Sequence, residues 1–237
     1  NIENYDLSSM SVCVAGAEIC PVQLKEKVMK YFSNAKFYDV FGQTEMSPAT
    51  LMLKPADSIR KAASVGKPIL NVEVRIVDEN MQDVPVGEIG EIVYRGPTLM
   101  KEYYKKPEET KEAFIGGWFH SGDLVSMDEE GFVYVRDRKK DMIISAGENI
   151  YPAEVEGVLY KHEAIFEAAV VGVPDEQWGE SVKAYIVLKE GYTLTKQEVI
   201  DHCAKLLASY KKPKYVEFID QLPRNASGKI LKRLLKQ

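Results

Sequence analysis

Gly117-Trp118-Phe119-His120-Ser121-Gly122-Asp123, continuing into Gly131-Phe132-Val133-Tyr134-Val135-Arg136-Asp137-Arg138-Lys139-Lys140-Asp141-Met142-Ile143-Ile144, is the stretch from which the rest of the chain is read. Asp123 to Met127 and Gly131 to Val135 flank the turn sequence Asp128-Glu129-Glu130-Gly131 and predict a β-hairpin. Asp123 follows a glycine at the predicted start of a strand, where loop residues commonly meet ligands. Taken alone, it reads equally well as an ordinary turn aspartate. The dense charge from Arg136 to Asp141 predicts sparse contacts, and a domain boundary is expected there. The expected domains are therefore residues 1–137 and 138–237, with a hinge near 138–141.

Toward the N-terminus, Val72 to Val77 and Glu88 to Tyr94 alternate or run apolar between the turns Asp83-Val84-Pro85 and Arg95-Gly96-Pro97. Short strands so punctuated predict a small β-barrel or twisted sheet. Further upstream, Ser11 to Gly16 reads as a buried strand. Pro21 to Phe32 carries Val22, Leu24, Val28, Met29 and Phe32 at helical spacing, and Phe37 to Phe41 as a second strand. Pro21 suits a first helical turn. Strand, helix, strand predicts the end of a parallel sheet.

Toward the C-terminus, a strand at 142–145, a helix at 153–161, strands at 168–173 and 183–188, a helix at 195–208 and a strand at 215–219 make a compact α+β domain. A last basic helix is expected after the loop that holds Lys229. The fold class is thus α/β plus α+β.

The 237 residues are 45% hydrophobic and 28% charged, in the range of ordinary globular domains. A net charge of -5 argues against nucleic acid as the main partner. Basic residues cluster instead at Arg136–Lys140, Lys205–Lys214 and Arg224–Lys236, a pattern that fits a small anionic ligand. Cys13, Cys20 and Cys203 lack zinc-ligand spacing and read as reduced thiols. There is no apolar run of membrane-spanning length and nothing like a signal peptide in Asn1-Ile2-Glu3-Asn4, so a cytoplasmic protein is expected.

Three further segments carry chemistry. Phe41-Gly42-Gln43-Thr44-Glu45 places a hydroxyl and a carboxylate directly after a sheet strand, a favoured place for nucleotides in open α/β sheets, although a capping Thr-Glu has the same form. Leu222-Pro223-Arg224-Asn225-Ala226-Ser227-Gly228-Lys229-Ile230 presents a lysine after a small, flexible pair, either to reach a phosphate or simply to face solvent. Tyr210-Lys211-Lys212-Pro213-Lys214 joins an aromatic ring to cations, or is a solvated charge run. Trp178 is expected to pack rather than touch a ligand.

With Ala15-Gly16-Ala17-Glu18, Gly90 to Pro97 and Gly147-Glu148-Asn149-Ile150-Tyr151-Pro152 falling in the same order, the chain resembles the adenylate-forming superfamily, in its acyl-CoA synthetase branch, over essentially its whole length. The block from Gly117 to Ile144 is similar to the fatty acyl-CoA synthetase signature. The resemblance implies the end of a large AMP-binding domain, with sheet edge and small β-barrel, followed by a mobile C-terminal domain. It implies ATP, Mg²⁺ and coenzyme A as cofactors and a small carboxylic acid as substrate, with fatty acids expected and aromatic acids open. It implies that Asp123 binds the ribose hydroxyls, that Arg138 adds a cation near ribose and phosphate, and that Thr44 donates to a phosphate. Glu45 would hold Mg²⁺. Gly16, Ala17 and Glu18 would border adenine, and Lys229 would bind the reacting carboxylate and α-phosphate. Lys140 matches the hinge position. Ser145, Ala146 and Gly147 would line a pantetheine channel, and Tyr210, Lys212 and Lys214 would touch the CoA nucleotide. Acylation of Lys229 would remove its charge.

The departures are small: Gly116 before Gly117 where an acidic residue is usual, Ser121 for Thr, Phe41 for Tyr, Ala146 for Gly, and Arg136 at a strand position usually apolar. The superfamily's Ser/Thr/Gly-rich phosphate loop has no counterpart here, so a fragment of a chain about twice as long, inactive alone, is expected. Luciferase-like and carrier-loading enzymes are the neighbouring alternatives. For the isolated chain, a noncatalytic nucleotide- or CoA-binding module is the alternative from another class.

Overall fold

The structure is a computed structural model that describes residues 2–236 other than 18, 19, 21 and 227, and the side chain of residue 23 is also outside it. The chain forms two compact units, Asn1–Val135 and Arg136–Gln237.

The first unit holds two sheets. In one, β1 (Val12–Gly16) and β2 (Lys36–Gly42) are parallel and joined by α1 (Val22–Tyr31), as strand, helix, strand predicts. Strands β3 (Ala49–Leu53) and β4 (Lys67–Pro68) add to β2 in antiparallel fashion. Helix α1 is fastened from inside: Lys25 Nζ lies 2.8 Å from Asp39 Oδ2 on β2 and donates to Ala62 O at 2.8 Å. Lys25 is fully buried, and a buried ammonium needs such partners.

The second sheet lies where the alternating runs predict a small β-barrel or twisted sheet, and it is a five-stranded half-barrel. It comprises β5 (Glu73–Val77), β6 (Gly90–Arg95), β7 (Phe114–Ile115), β8 (Trp118–Met127) and β9 (Val133–Arg138). Its short β7 follows α2 (Pro107–Ala113), whose Pro107, Glu108 and Glu109 suit a helix start. Met46, from the turn after β2, and Leu51 of β3 pack with Ile76, Ile92, Tyr94, Phe119 and Val125 from the second sheet, so one core serves both.

The second unit is one sheet, β10 (Ile143–Ser145), β11 (Glu148–Ile150), β12 (Ile165–Asp175), β13 (Gly179–Leu188) and β14 (Tyr215–Phe218), in the order β11-β10-β13-β12 with β14 parallel to β13. Helices α3 (Pro152–Leu159) and α4 (Lys196–Ala204) cover one face through Val155, Leu159, Val199 and Cys203. Leu222 and Leu235 of the tail cover the other, over Ala169, Val171 and Tyr185. Burial on both faces explains why β12 runs apolar from Ala168 to Val173 rather than alternating.

Three expectations are corrected. The last basic helix is only the 3₁₀ turn Lys232–Leu234, because Leu235 turns inward and its carbonyl accepts the Tyr185 hydroxyl at 2.9 Å. Helix α4 ends at Ala204 and starts after Thr195, whose hydroxyl and the Glu198 carboxylate form a reciprocal cap. The charged run is not uniformly solvated. Asp137 is buried, and its carboxylate accepts the N–H groups of Arg138 (2.7 Å) and of Ala153 in the first turn of α3 (2.8 Å). Among the described residues no helix is long and apolar enough to cross a membrane.

Candidate active site

In the first unit the site begins where β1 and β2 end. The strands are parallel, so both C-terminal ends open on the same side, and Gly16 stands opposite Val40. A Cβ on Gly16 would sit 2.7 Å from Val40 O, which excludes any side chain. Ala17 follows with φ 71°, turning the chain away. Glu18 lies outside the described residues.

Past β2, Gly42 admits no side chain either, since its Cβ would meet Pro48 O at 1.8 Å. Residues Thr44–Met46 then form one 3₁₀ turn. Met46 is fully buried and anchors the turn, while Thr44 is exposed and Glu45 half-buried. Glu45 is fixed twice: its carbonyl accepts Met100 N at 2.7 Å and its Oε1 accepts the Tyr103 hydroxyl at 2.9 Å. Burial, and then the hydrogen bond to Glu45, push the Tyr103 phenol up to about 12, so it remains a donor at neutral pH.

Asp123 is not at a strand start but inside β8, at a bulge. The register of β8 against β6 pairs His120 with Val93 and Leu124 with Glu91, leaving Ser121, Gly122 and Asp123 opposite Ile92 alone. Gly122 supplies φ 72° and donates its N–H to Glu91 Oε1 at 3.0 Å. Ser121 Oγ donates to Ile92 O at 2.5 Å and accepts Asp123 N at 3.0 Å. The bulge re-aims the Asp123 carboxylate, which is 4% exposed, toward the turn after β2. There the Gln43 amide nitrogen donates to Asp123 Oδ2 at 2.9 Å and to Ser121 O at 2.8 Å. Behind it, burial and then the charge of Asp123 raise the Tyr94 phenol above its ordinary range. The first unit thus has Gly16, Ala17, Thr44 and Glu45 at the ends of neighbouring strands, and Asp123 on the β8 bulge bonded to Gln43 beside Thr44.

The second unit makes two groups of the remaining residues. Ser145 and Glu148 pair across a hairpin whose two turn residues, Ala146 (φ 52°) and Gly147 (φ 84°), are both left-handed. Ala146 N donates to Trp178 O at 2.8 Å. Trp178, expected to pack, is 44% exposed instead, because it sits in the turn where Asp175 gathers the N–H groups of Gln177 and Trp178. The same carboxylate takes Lys214 Nζ at 2.5 Å, and that bond raises the Lys214 ammonium above its ordinary value. Tyr210 and Lys212 are exposed just before Lys214, whereas Lys211 is held by Glu154 at 2.7 Å. Ser145, Ala146, Gly147 and Lys214 therefore meet around Asp175 and Trp178.

Lys229 forms the second group. Its side chain is exposed, but its loop is closed by bonds from Lys229 N to Asn225 Oδ1 (2.9 Å), Asn225 N to Lys229 O (3.0 Å) and Gly228 N to Asn225 O (3.0 Å). Arg224 ties the loop to Glu167. Ser227 lies outside the described residues. Arg138 and Lys140 are exposed at the turn Lys139–Asp141, and Lys140 O accepts Lys236 Nζ at 3.3 Å.

Gln43, Glu91, Tyr103 and Asp175 act in these sites but were not singled out from sequence. Gln43 and Glu91 lie inside the Phe41–Glu45 and Gly90–Pro97 segments. Tyr103 and Asp175 gave no signal, because their partners are 58 and 39 residues away.

Residues 1–104 match the family described as AMP-binding enzyme, and residues 154–229 match the AMP-binding enzyme C-terminal domain. A 2-succinylbenzoate–CoA ligase of a Geobacillus species is 46% identical over 200 residues, 84% of this chain and 40% of that protein. The long-chain-fatty-acid–CoA ligase of Bacillus subtilis is 44% identical over 238 residues, 99% of this chain and 42% of that protein. The solved O-succinylbenzoate coenzyme A synthetase of Bacillus subtilis, in complex with AMP, superposes with a TM-score of 0.87 at 38% identity, covering 100% of this chain and 48% of that one. The chain spans less than half the length of each of these proteins.

Proposed function

Because this chain belongs to the AMP-binding enzyme family, we propose that the protein that carries it is an ATP-dependent acyl-CoA synthetase. In the first step an oxygen of the acid's carboxylate bonds to the α-phosphorus of ATP, the bond to the bridging oxygen breaks, and pyrophosphate leaves. In the second the CoA thiol, losing its proton, bonds to the acyl carbon of this acyl-adenylate, and AMP leaves with the electron pair of the broken mixed-anhydride C–O bond. The observation that carries this reading is the convergence of a re-aimed, buried Asp123 on the Thr44–Glu45 turn through the Gln43 amide.

Asp123 accepts the ribose hydroxyls, Gly16 and Ala17 leave room for the adenine, and Thr44 donates to a phosphate oxygen. Glu45 fits a magnesium ion: a hard carboxylate, one oxygen of which is oriented by Tyr103, suits an ion held by one or two carboxylates and the substrate's phosphates. When bound, Mg²⁺ neutralises phosphate charge. In the second unit, Lys229 holds the reacting carboxylate and α-phosphate as negative charge builds, and Arg138 supplies a further cation. The 145–147 hairpin with Tyr210, Lys212 and Lys214 takes coenzyme A, and Lys140 belongs to the hinge. We read the acid as a fatty acid and the setting as cytoplasmic. The matched relatives act, by their names, on 2-succinylbenzoate and on long-chain fatty acids.

The test is AMP release by the intact gene product with ATP, Mg²⁺, CoA and a panel of aliphatic and aromatic acids, run beside Lys229→Ala. CoA-dependent AMP formation that falls about 10² to 10³-fold in the variant supports the reading. No AMP with any acid sinks it, and preference for an aromatic acid replaces the fatty-acid assignment.

A further inference from the structure

We propose that Gln43 is a positioning residue that sets the Asp123 carboxylate for the ribose diol, and so makes ribose recognition depend on the turn that carries Thr44 and Glu45. This rests on the proposed reading of Asp123 as the ribose ligand.

The argument starts from the amide itself. Gln43 is extended (φ -135°, ψ 156°) and its side chain does not cap the 3₁₀ turn it precedes. One end of its amide lies 2.8 Å from Ser121 O and 2.9 Å from Asp123 Oδ2. A carbonyl and a carboxylate only accept, so the group between them is the NH₂, and both its hydrogens are used. The orientation of Gln43 is thereby fixed by chemistry.

Both acceptors lie on the β8 bulge. Ser121 contributes its carbonyl to Gln43, and its hydroxyl to Ile92 O while accepting Asp123 N. The bulge is thus closed on three sides: by β6, by its own serine, and by a side chain from the segment after β2. A bulge with a left-handed glycine at its centre lacks regular ladder bonds, so these side-chain bonds hold the Asp123 rotamer. An ionised carboxylate has about four lone-pair sites, so it can take the Gln43 donor and still receive hydroxyls. The bond to a charged acceptor is of the stronger kind, and Asp123 is buried.

Replacement by methionine keeps the length of the side chain and removes both donors. Asp123 remains, but loses the Gln43 donor on Oδ2. The loss should appear only when the nucleotide has hydroxyls for Asp123 to read.

The experiment measures KM and kcat of the intact gene product for ATP and for 2′,3′-dideoxy-ATP, in the parent and in Gln43→Met, with melting temperature as a check on folding. The expected result is a rise of about tenfold in KM for ATP, the scale of one charge-assisted hydrogen bond, with kcat changed less and KM for the dideoxy nucleotide unchanged. A variant that weakens both nucleotides equally, or neither, overturns the positioning role while the ribose reading of Asp123 stands. A parent that does not distinguish the two nucleotides overturns the ribose reading and the role of Gln43 together. If Gln43→Met melts early, Gln43→Asn, which keeps the donors on a shorter stem, replaces it, and the same comparison decides.

Discussion

The Tyr103 hydroxyl donates to Glu45 Oε1 at 2.9 Å, fastening the segment after β6 to the turn after β2 across 58 residues of sequence. Tyr103→Phe keeps the ring and removes the donor. The Mg²⁺ concentration that gives half-maximal AMP formation should rise about tenfold, the usual cost of losing a partner that orients a metal ligand. Because the phenol titrates only near 12, the ratio of parent to variant should be flat across neutral and mildly alkaline pH. A magnesium titration in which the two midpoints coincide would separate Tyr103 from Glu45.

Lys25 and Asp39 are both buried and 2.8 Å apart. Removing one charge strands the other, so Lys25→Met should lower unfolding free energy by about 3–5 kcal/mol. The double variant Lys25→Met with Asp39→Leu should cost less than the single one. Urea unfolding checks both, and a double variant worse than the single contradicts the pairing.

Asp128 predicts an acid limb. Burial acts to raise its carboxyl, but the bonds from Lys61 Nζ (2.7 Å), Phe132 N (2.9 Å) and the Tyr134 hydroxyl (2.9 Å) together outweigh it and hold the group at about 2 against an ordinary 3.8. The folded pKa lies below the unfolded one, so the stabilisation is complete above the unfolded value and is lost as pH falls from 3.8 toward 2. Asp128→Asn should melt earlier than the parent at neutral pH and converge with it in acid. Parallel melting curves at all pH values would remove Asp128 from this role.

Two glycines should respond differently to alanine. At Gly42 the new Cβ would lie 1.8 Å from Pro48 O, so the turn must move and AMP formation should fall steeply. At Gly147 nothing lies within 4 Å, and only the left-handed φ of 84° opposes the change. That conformational cost is about 1–2 kcal/mol, visible in melting temperature. Equal effects at both positions would contradict the geometry.

The parallel β1–β2 pair, the half-barrel strands and the α+β sheet were legible because hydrophobic periodicity and turn residues are local signals. What was not legible was set by distant partners. Asp123 looked like the first residue of a strand, since no local pattern shows that Ile92, 31 residues upstream, would face three residues at once. Trp178 looked like a core residue by type, yet Asp175 holds its backbone in an exposed turn. Asp137 looked solvated amid five charged neighbours, and only the start of α3, 16 residues on, makes it a buried acceptor. The tail looked helical from its basic spacing, but one buried leucine outweighed it.

The closed loop around Lys229 turns that side chain into a ruler. With its N–H and C=O both engaged by Asn225, the backbone has little slack, and the reach of the ammonium is set by the four-carbon stem alone. Shortening the stem, or substituting the bulkier guanidinium, changes the distance at which the charge is delivered without the loop being able to compensate. Length, as much as charge, is then what the position selects.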